Sequence, residues 1–240
     1  CTGEVCTVFV QVKPQPVISL MSTTICSGAT YQFSPANGTN GIVPDGTVYS
    51  VWDGATWLPA TSPITGTLSN NTATIQSTTY HVLPSVNNCT GSTFSIVVYV
   101  NPQPAVNAIA LSACSGATFA ITPTNGSNGL VPVGTQYTWT IPGGSGFSGA
   151  ATQITPTTIF SGKLTNLTSG VVTATYQVQS IFNGCNGNVF TITVSVYPIA
   201  SINQLSTTIC SGAPFNVAPA DTQDGIVPNG TLYTWLAPTG

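Results

Sequence analysis

Apolar and polar residues alternate with a period of two in short runs along this chain, and no stretch carries the 3.6-residue period of a helix. Residues 135–141 put Tyr137 and Trp139 on one face, and residues 105–113, 117–123, 163–168, 171–180 and 189–196 read as five further strands. Between residues 117–123 and 135–141 lies Asn125-Gly-Ser-Asn-Gly-Leu-Val-Pro-Val-Gly, a segment of residues suited to tight turns. Six or seven short strands in about 90 residues, with a tryptophan on the third, predict an all-β immunoglobulin-like sandwich. Helix content is expected to be near zero.

The pattern is written more than once. Cys26-Ser-Gly-Ala-Thr-Tyr recurs as Cys114-Ser-Gly-Ala-Thr-Phe and Cys210-Ser-Gly-Ala-Pro-Phe, and Cys1-Thr-Gly recurs as Cys89-Thr-Gly and Cys185-Asn-Gly. Both landmarks step by 88 and then 96 residues. A period near 90 is too long for a solenoid unit and suits a domain that buries its own core. The expected organisation is the end of one repeat (1–16), two full repeats (17–104 and 105–198) and the start of another (199–240), a window on a longer protein. The length difference between repeats falls between Trp139 and Leu164, where a loop tolerates it. The junctions Val-Lys-Pro-Gln-Pro (12–16), Val-Asn-Pro-Gln-Pro (100–104) and Val-Tyr-Pro (196–198) end a strand and stiffen the connection. Extended end-to-end beads, each advancing roughly 35–45 Å, are expected.

Composition narrows the partners. Charged residues are 3% of the chain, with no arginine and with Lys13 and Lys163 as the lysines, so neither a phosphate backbone nor an anionic lipid surface can be neutralised. No apolar run approaches the roughly 20 residues of a membrane-spanning helix. Nucleic acid and membrane insertion are therefore excluded as partners, and a nearly uncharged β surface is expected to associate laterally or to carry a coat. Seven cysteines at fixed points of the repeats place the chain in an oxidising compartment.

The residues Cys-Ser-Gly-x-x-Phe, Gly-Ile-Val-Pro-x-Gly-Thr-x-Tyr-x-Trp, Gly-x-Leu-x-Asn and Cys-x-Gly-x-x-Phe together resemble the PKD-like repeats of very long Bacteroidota surface proteins, including gliding adhesins of the SprB type. The resemblance covers the whole chain. It implies an extracellular adhesin or filament on the bacterial surface, exported by the type IX system. The chain departs from the pattern at Val51-Trp52, where the other repeats have Trp139 and Trp235, and at Cys6, where they have Phe94 and Phe190.

Among candidate sites, the cysteines suggest pairs within each repeat, Cys26 with Cys89 and Cys114 with Cys185. These would close loops of 63 and 71 residues, each contributing on the order of 4 kcal/mol. A strict seven-strand sandwich would place the two members at opposite ends, and the alternative is a staple across the joint from Cys26 to Cys185. Cys1 and Cys210 are half-pairs with partners outside the window, and Cys6 reads as a buried inert thiol. Asn37 with Asn40, Asn125 with Asn128, and Asp221 with Asp224 mimic a calcium loop, but two of the three copies lack carboxylates, which favours self-bonded turns. Trp139 and Trp235 belong in a sandwich core, and Trp57 in the variable loop is the candidate exposed contact. Sequons at Asn37, Asn70, Asn88, Asn125, Asn166 and Asn229 are of the number that chance supplies in such a composition. His81 has no catalytic companions, so neither enzyme activity nor a cofactor or metal is expected. The function expected is a stiff, disulfide-stabilised shaft, with neighbouring repeats as partners. A glycan-binding module array is the alternative.

Overall fold

The alternating runs nearest the end of each repeat become the central strands of its larger sheet. The structure, a computed structural model, describes residues 2–236 and divides into two units, Cys1–Pro102 and Gln103–Gly240. In the first, the large sheet runs in the order Met21–Cys26, Phe94–Asn101, Gln76–Val86, Val48–Trp52, Trp57–Ala60. Phe94, Ile96, Val98 and Val100 all turn inward from one strand, as a period of two requires. They meet Tyr31, Phe33 and Ile64 from the facing pair Thr30–Phe33 and Ile64–Thr67. A third pair, Val17–Ile18 with Gly41–Ile42, closes the end where the chain comes in.

The second unit repeats the plan: Ile109–Cys114, Cys185–Tyr197, Val172–Phe182, Gln136–Trp139, Gln153–Thr157 in the large sheet, with Thr118–Ile121 and Phe160–Lys163 facing it. Tyr137 and Trp139 are buried on the same face. Tyr137 meets Phe190 edge-on, and Trp139 packs on Phe160, which is fully buried and lies 4.7 Å from Trp139 and 5.0 Å from Tyr176 between ring centroids. The described residues contain no helix, and the architecture is an all-β immunoglobulin-like sandwich.

Four elements differ from the expected strands, the first being residues 163–168, where Phe160–Lys163 pairs with Thr118–Ile121 and a separate short strand, Thr165–Asn166, pairs with Phe147–Ser148. Residues 105–113 do not form one strand: Ala105–Val106 pairs with Gly129–Leu130, and Ile109–Cys114 crosses to run parallel to Cys185–Tyr197. One segment thereby contributes first to a two-stranded pair and then to the edge of the large sheet. Gln153–Thr157 is an additional edge strand with a register shift against Gln136–Trp139. Its Ile154 is exposed, so it shows no alternation, and Pro156 sits where an edge tolerates a missing donor. The strand expected at 189–196 begins at Cys185, because Asn183 and Gly184, with φ of 46° and 77°, make the two-residue turn that matches strand twist.

The Phe160→Ala variant is expected to lose about 3–5 kcal/mol of unfolding free energy. Urea titration followed by far-ultraviolet circular dichroism measures this, with an unchanged slope showing that the fold is retained.

Candidate functional site at the two ends of the repeat

The recurrent residues gather at the ends of the sandwich. At the tail, where the chain leaves, Cys26-Ser-Gly-Ala forms a turn closed by the Ala29 N–H on the Cys26 carbonyl at 3.0 Å. Ser27 N–H donates to the Asn101 carbonyl, Gly28 N–H donates to the Leu68 carbonyl, and Ser27 Oγ accepts from the Asn70 N–H at 2.8 Å. Asn70 is buried. Its Nδ2 donates to Thr74 and Val100 carbonyls, and its Oδ1 accepts from the N–H and hydroxyl of Thr72. Asn166 makes the same set with Gly170, Val196 and Thr168, and its own N–H donates to Ser115 Oγ. With each amide group spent in this way, the sequons at Asn70 and Asn166 are structural roofs, and their nitrogens are not open to a glycan. The glycine of Gly-x-Leu-x-Asn is needed beside them, because a Cβ on Gly66 would lie 2.4 Å from the Tyr31 hydroxyl and one on Gly162 would lie 2.7 Å from the Phe119 ring.

At the head, where the chain enters, the Cys-x-Gly hairpin receives the proline joint. A Cβ on Gly187 would stand 2.1 Å from the Pro104 carbonyl oxygen, and one on Gly91 would stand 2.2 Å from that of Pro16. Asn188 clamps the same segment by accepting from the Val106 N–H and donating to the Val106 carbonyl. The neighbouring loop is braced internally: Asn37 Oδ1 accepts from the Val43 N–H and Asn40 Oδ1 from the Ala36 N–H. Asn125 with Asn128 and Asp221 with Asp224 repeat both bonds. These oxygens are the ones that resembled a calcium loop, and they are engaged by backbone donors. Among the described residues no group of three or more His, Cys, Asp or Glu side chains is placed to hold a metal ion.

Head and tail meet within the second unit, where Ser169, in the tail loop of residues 105–198, donates to the Asp221 carboxylate at 2.5 Å. That hydroxyl, with the Val227 N–H, holds the Asp221 carboxyl below the usual carboxylate range. The exposed Asp53 carboxyl is lowered in the same direction by the N–H groups of Thr56 and Ala55.

The cysteines do not form the pairs expected within a repeat. Cys89 and Cys114 are free thiols, whereas Cys26 and Cys185 are each disulfide-bonded. Register explains why. Cys26 lies opposite Asn101 at the tail and Cys89 opposite Val86 at the head, so the 11-residue strand Gln76–Val86 separates them, roughly 33 Å at the strand rise. Cys114 lies opposite Tyr197 and Cys185 begins the same 13-residue strand, roughly 40 Å away. A disulfide needs Cα atoms within about 7 Å. Cys210 is a free exposed thiol, and Cys1 lies outside the described residues.

Other candidates fall as follows. Cys6 is exposed rather than buried, since residues 2–16 form no strand that could turn it inward. Trp235 is exposed, in contrast to the core position of Trp139, because residues 199–236 supply only the pair Ser201–Ile202 and Gly225–Ile226. Trp57 is half-exposed on an edge strand and packs on Trp52 across the hairpin, with centroids 5.3 Å apart and rings tilted by 57°. His81 Nδ1 lies 3.5 Å from Ser95 Oγ on the sheet exterior.

Residues 49–104 and 111–200 match the PKD-like domain profile. The chain belongs to the PKD-like domain family. It has no significant match among curated protein sequences. Solved structures similar to it include the four N-terminal immunoglobulin domains of Dscam1 (9% identity, 78% of this chain and 45% of that chain, TM-score 0.30). They also include the chicken CNTN1 FN1-FN3 domains (11%, 72% and 63%, 0.31) and the human Desmocollin-1 ectodomain (13%, 77% and 41%, 0.38). The chain thus spans less than two thirds of each of those chains. In this PKD-like chain, the recurrent motif residues outside the core are the ones that fasten the two ends of the repeat.

Two measurements check the site. Asn166→Ala strips the Gly170 and Val196 carbonyls of their donor and is expected to cost on the order of 3 kcal/mol, against little change for Asn229→Ala on the exposed surface. Both are read from denaturation midpoints. The pH profile follows from burial, which raises Tyr31, Tyr49 and Tyr176 and pushes Tyr137 up to about 12. The folded state keeps these protons while the unfolded chain releases them from about pH 10. Stability is therefore fully present below pH ~10 and falls as pH rises toward the folded value, as urea midpoints between pH 7 and 12 will show.

Proposed function

We propose that this chain is a structural segment of a long extracellular surface protein, a shaft or spacer that holds a distal part away from the cell. PKD-like and immunoglobulin-like domains with an intramolecular disulfide are typical of extracellular proteins, and such folds are usually non-catalytic structural modules. The observation that carries the reading is where the recurrent chemistry sits. Each full repeat completes its own core, and its repeated polar residues, glycines and cysteines are invested in the two ends where beads join. The Ser169–Asp221 bond supports head-to-tail docking. The finer reading, a surface filament or gliding adhesin of Bacteroidota exported by the type IX system, rests on the sequence resemblance. Its partners are neighbouring repeats of the same chain and, through the nearly uncharged surface, other copies alongside.

A second reading, glycan binding, is favoured by the exposed Trp52–Trp57 pair. It is the weaker one, because the pair exists in one repeat and its tilted rings do not make a flat platform.

Electron microscopy of the native material is expected to show a fibre with an axial step of roughly 35–45 Å and the mass per length of one chain. Several chains per step would assign the surface to assembly, and isolated short particles would contradict the shaft reading.

A further inference from the structure

Each full repeat carries a cavity in its head, and the two cavities are built from the same positions. In the second repeat Pro123, Val131, Pro132 and Tyr137 wall a cavity of about 240 Å³, with Asn125 and Val133 exposed at its mouth. In the first, Pro35, Val43, Pro44 and Tyr49 wall one of about 270 Å³, with Asn37 and Asp45 exposed at the mouth. Each of these residues stands 88 positions from its counterpart. The walls are held in place before anything enters. Asn125 Oδ1 accepts from the Val131 N–H, and the Pro132 carbonyl accepts from both the N–H and the hydroxyl of Thr135. Asn37 with Val43 and Pro44 with Thr47 repeat those bonds. A cavity braced in this way needs little reorganisation to receive a ligand.

The tyrosine at each floor points to what enters. Tyr137 is 1% exposed and Tyr49 is 4% exposed, yet among the described residues neither hydroxyl has a hydrogen-bond partner. A buried phenol normally finds one, as Tyr31 does in Tyr80. Burial alone raises both phenols, Tyr137 to about 12, so each keeps its proton at ordinary pH and holds an unused donor against the cavity.

We propose that the head cavity of the second repeat binds an extended, uncharged, proline-bearing peptide, with one pyrrolidine ring against the apolar walls and a neighbouring carbonyl accepting from the Tyr137 hydroxyl. No charged residue lines this cavity, and a charged ligand would be desolvated there without a partner. Asn125 Oδ1 is spent on Val131, which leaves its Nδ2 at the mouth as a second donor. A proline segment answers donors with carbonyls and brings no N–H of its own at the ring. The volume falls below the roughly 300–1,000 Å³ of a drug-sized site, so it suits one ring of a segment that continues across the surface. Such a segment is already extended and loses little freedom on docking. In the first repeat Asp45 replaces Val133 and sets a carboxylate beside the incoming carbonyls, which weakens binding there. A fixed frame thus carries one variable residue that tunes the site. This activity goes beyond the shaft reading and does not depend on it.

The test titrates the whole 240-residue chain with a blocked oligoproline peptide and follows backbone amide resonances. Saturable shifts are expected at Val131, Gly134 and Thr135, and weaker ones at Val43, Gly46 and Thr47. Tyr137→Phe keeps the ring and removes only the unpartnered hydroxyl, and is expected to weaken binding about tenfold. Val133→Asp, at a side chain that is 95% exposed, is expected to bring the second site down to the level of the first, and Asp45→Val to raise the first. Were Tyr137→Phe to unfold the chain, the two mouth variants would decide alone. Shifts that never saturate, or affinities that ignore all three substitutions, would overturn the proposal and leave the tyrosine hydroxyls to water.

Discussion

A β-sandwich must satisfy the backbone groups left over where its strands end, and this chain has to do so with seven charged residues in 240. Everything else in the repeat is arranged around that constraint. An unpaired buried peptide group costs about as much as several good packing contacts contribute. The task falls to Ser, Thr and Asn, which carry donors and acceptors without the desolvation penalty of a charge. Asn166 answers four bonds from one buried side chain, and Ser115 Oγ ties its N–H to the turn that follows Ile109–Cys114.

These fastenings are coupled to the core by contact. Gly162, four residues before Asn166, lies against the Phe119 ring, and Phe119 packs against Phe160, whose neighbours are Trp139 and Tyr176. At the head, Gly187 admits the Pro104 carbonyl and Asn188 grips Val106, whose side chain belongs to the same core. A proline joint held in this way is a fixed part of the domain surface. The ends therefore inherit the rigidity of the interior, which is what a load-bearing or spacing role requires of a bead. The carboxylates Asp53 and Asp221, fastened to hydroxyl and N–H groups, extend the same economy to the few charges present.

The core was legible in the sequence where burial is one-sided. Residues 171–180 and 189–196 alternate because their strands lie between solvent and the sandwich interior, and Tyr137 and Trp139 share the buried face that their spacing implied. Recurrence of Cys-Ser-Gly and Cys-x-Gly led to the family. Elements without one-sided burial were not legible. The 105–113 segment hides a change of sheet at Asn107, and the edge strand Gln153–Thr157 exposes the apolar residue that would have marked it. The polar roof of Asn70 and Asn166 was masked by its likeness to a glycosylation motif, although its place in Gly-x-Leu-x-Asn was the available signal. Cysteine pairing was only partly legible. Strand counting already put the members of a within-repeat pair at opposite ends of a seven-strand sandwich, and the parallel pairing of Ile109–Cys114 with Cys185–Tyr197 sends Cys114 to the end opposite Cys185.

One repeat, fastened at both ends by its own side chains, should be a complete folding unit. Residues 105–198 contain a single tryptophan, Trp139, at the centre of the core. Urea denaturation of that segment alone, followed by Trp139 emission and by far-ultraviolet circular dichroism, tests the claim directly. One cooperative transition is expected, coincident by both probes, from a blue-shifted folded emission. Emission typical of water-exposed tryptophan with no transition would contradict it and would make the neighbouring repeats part of the fold.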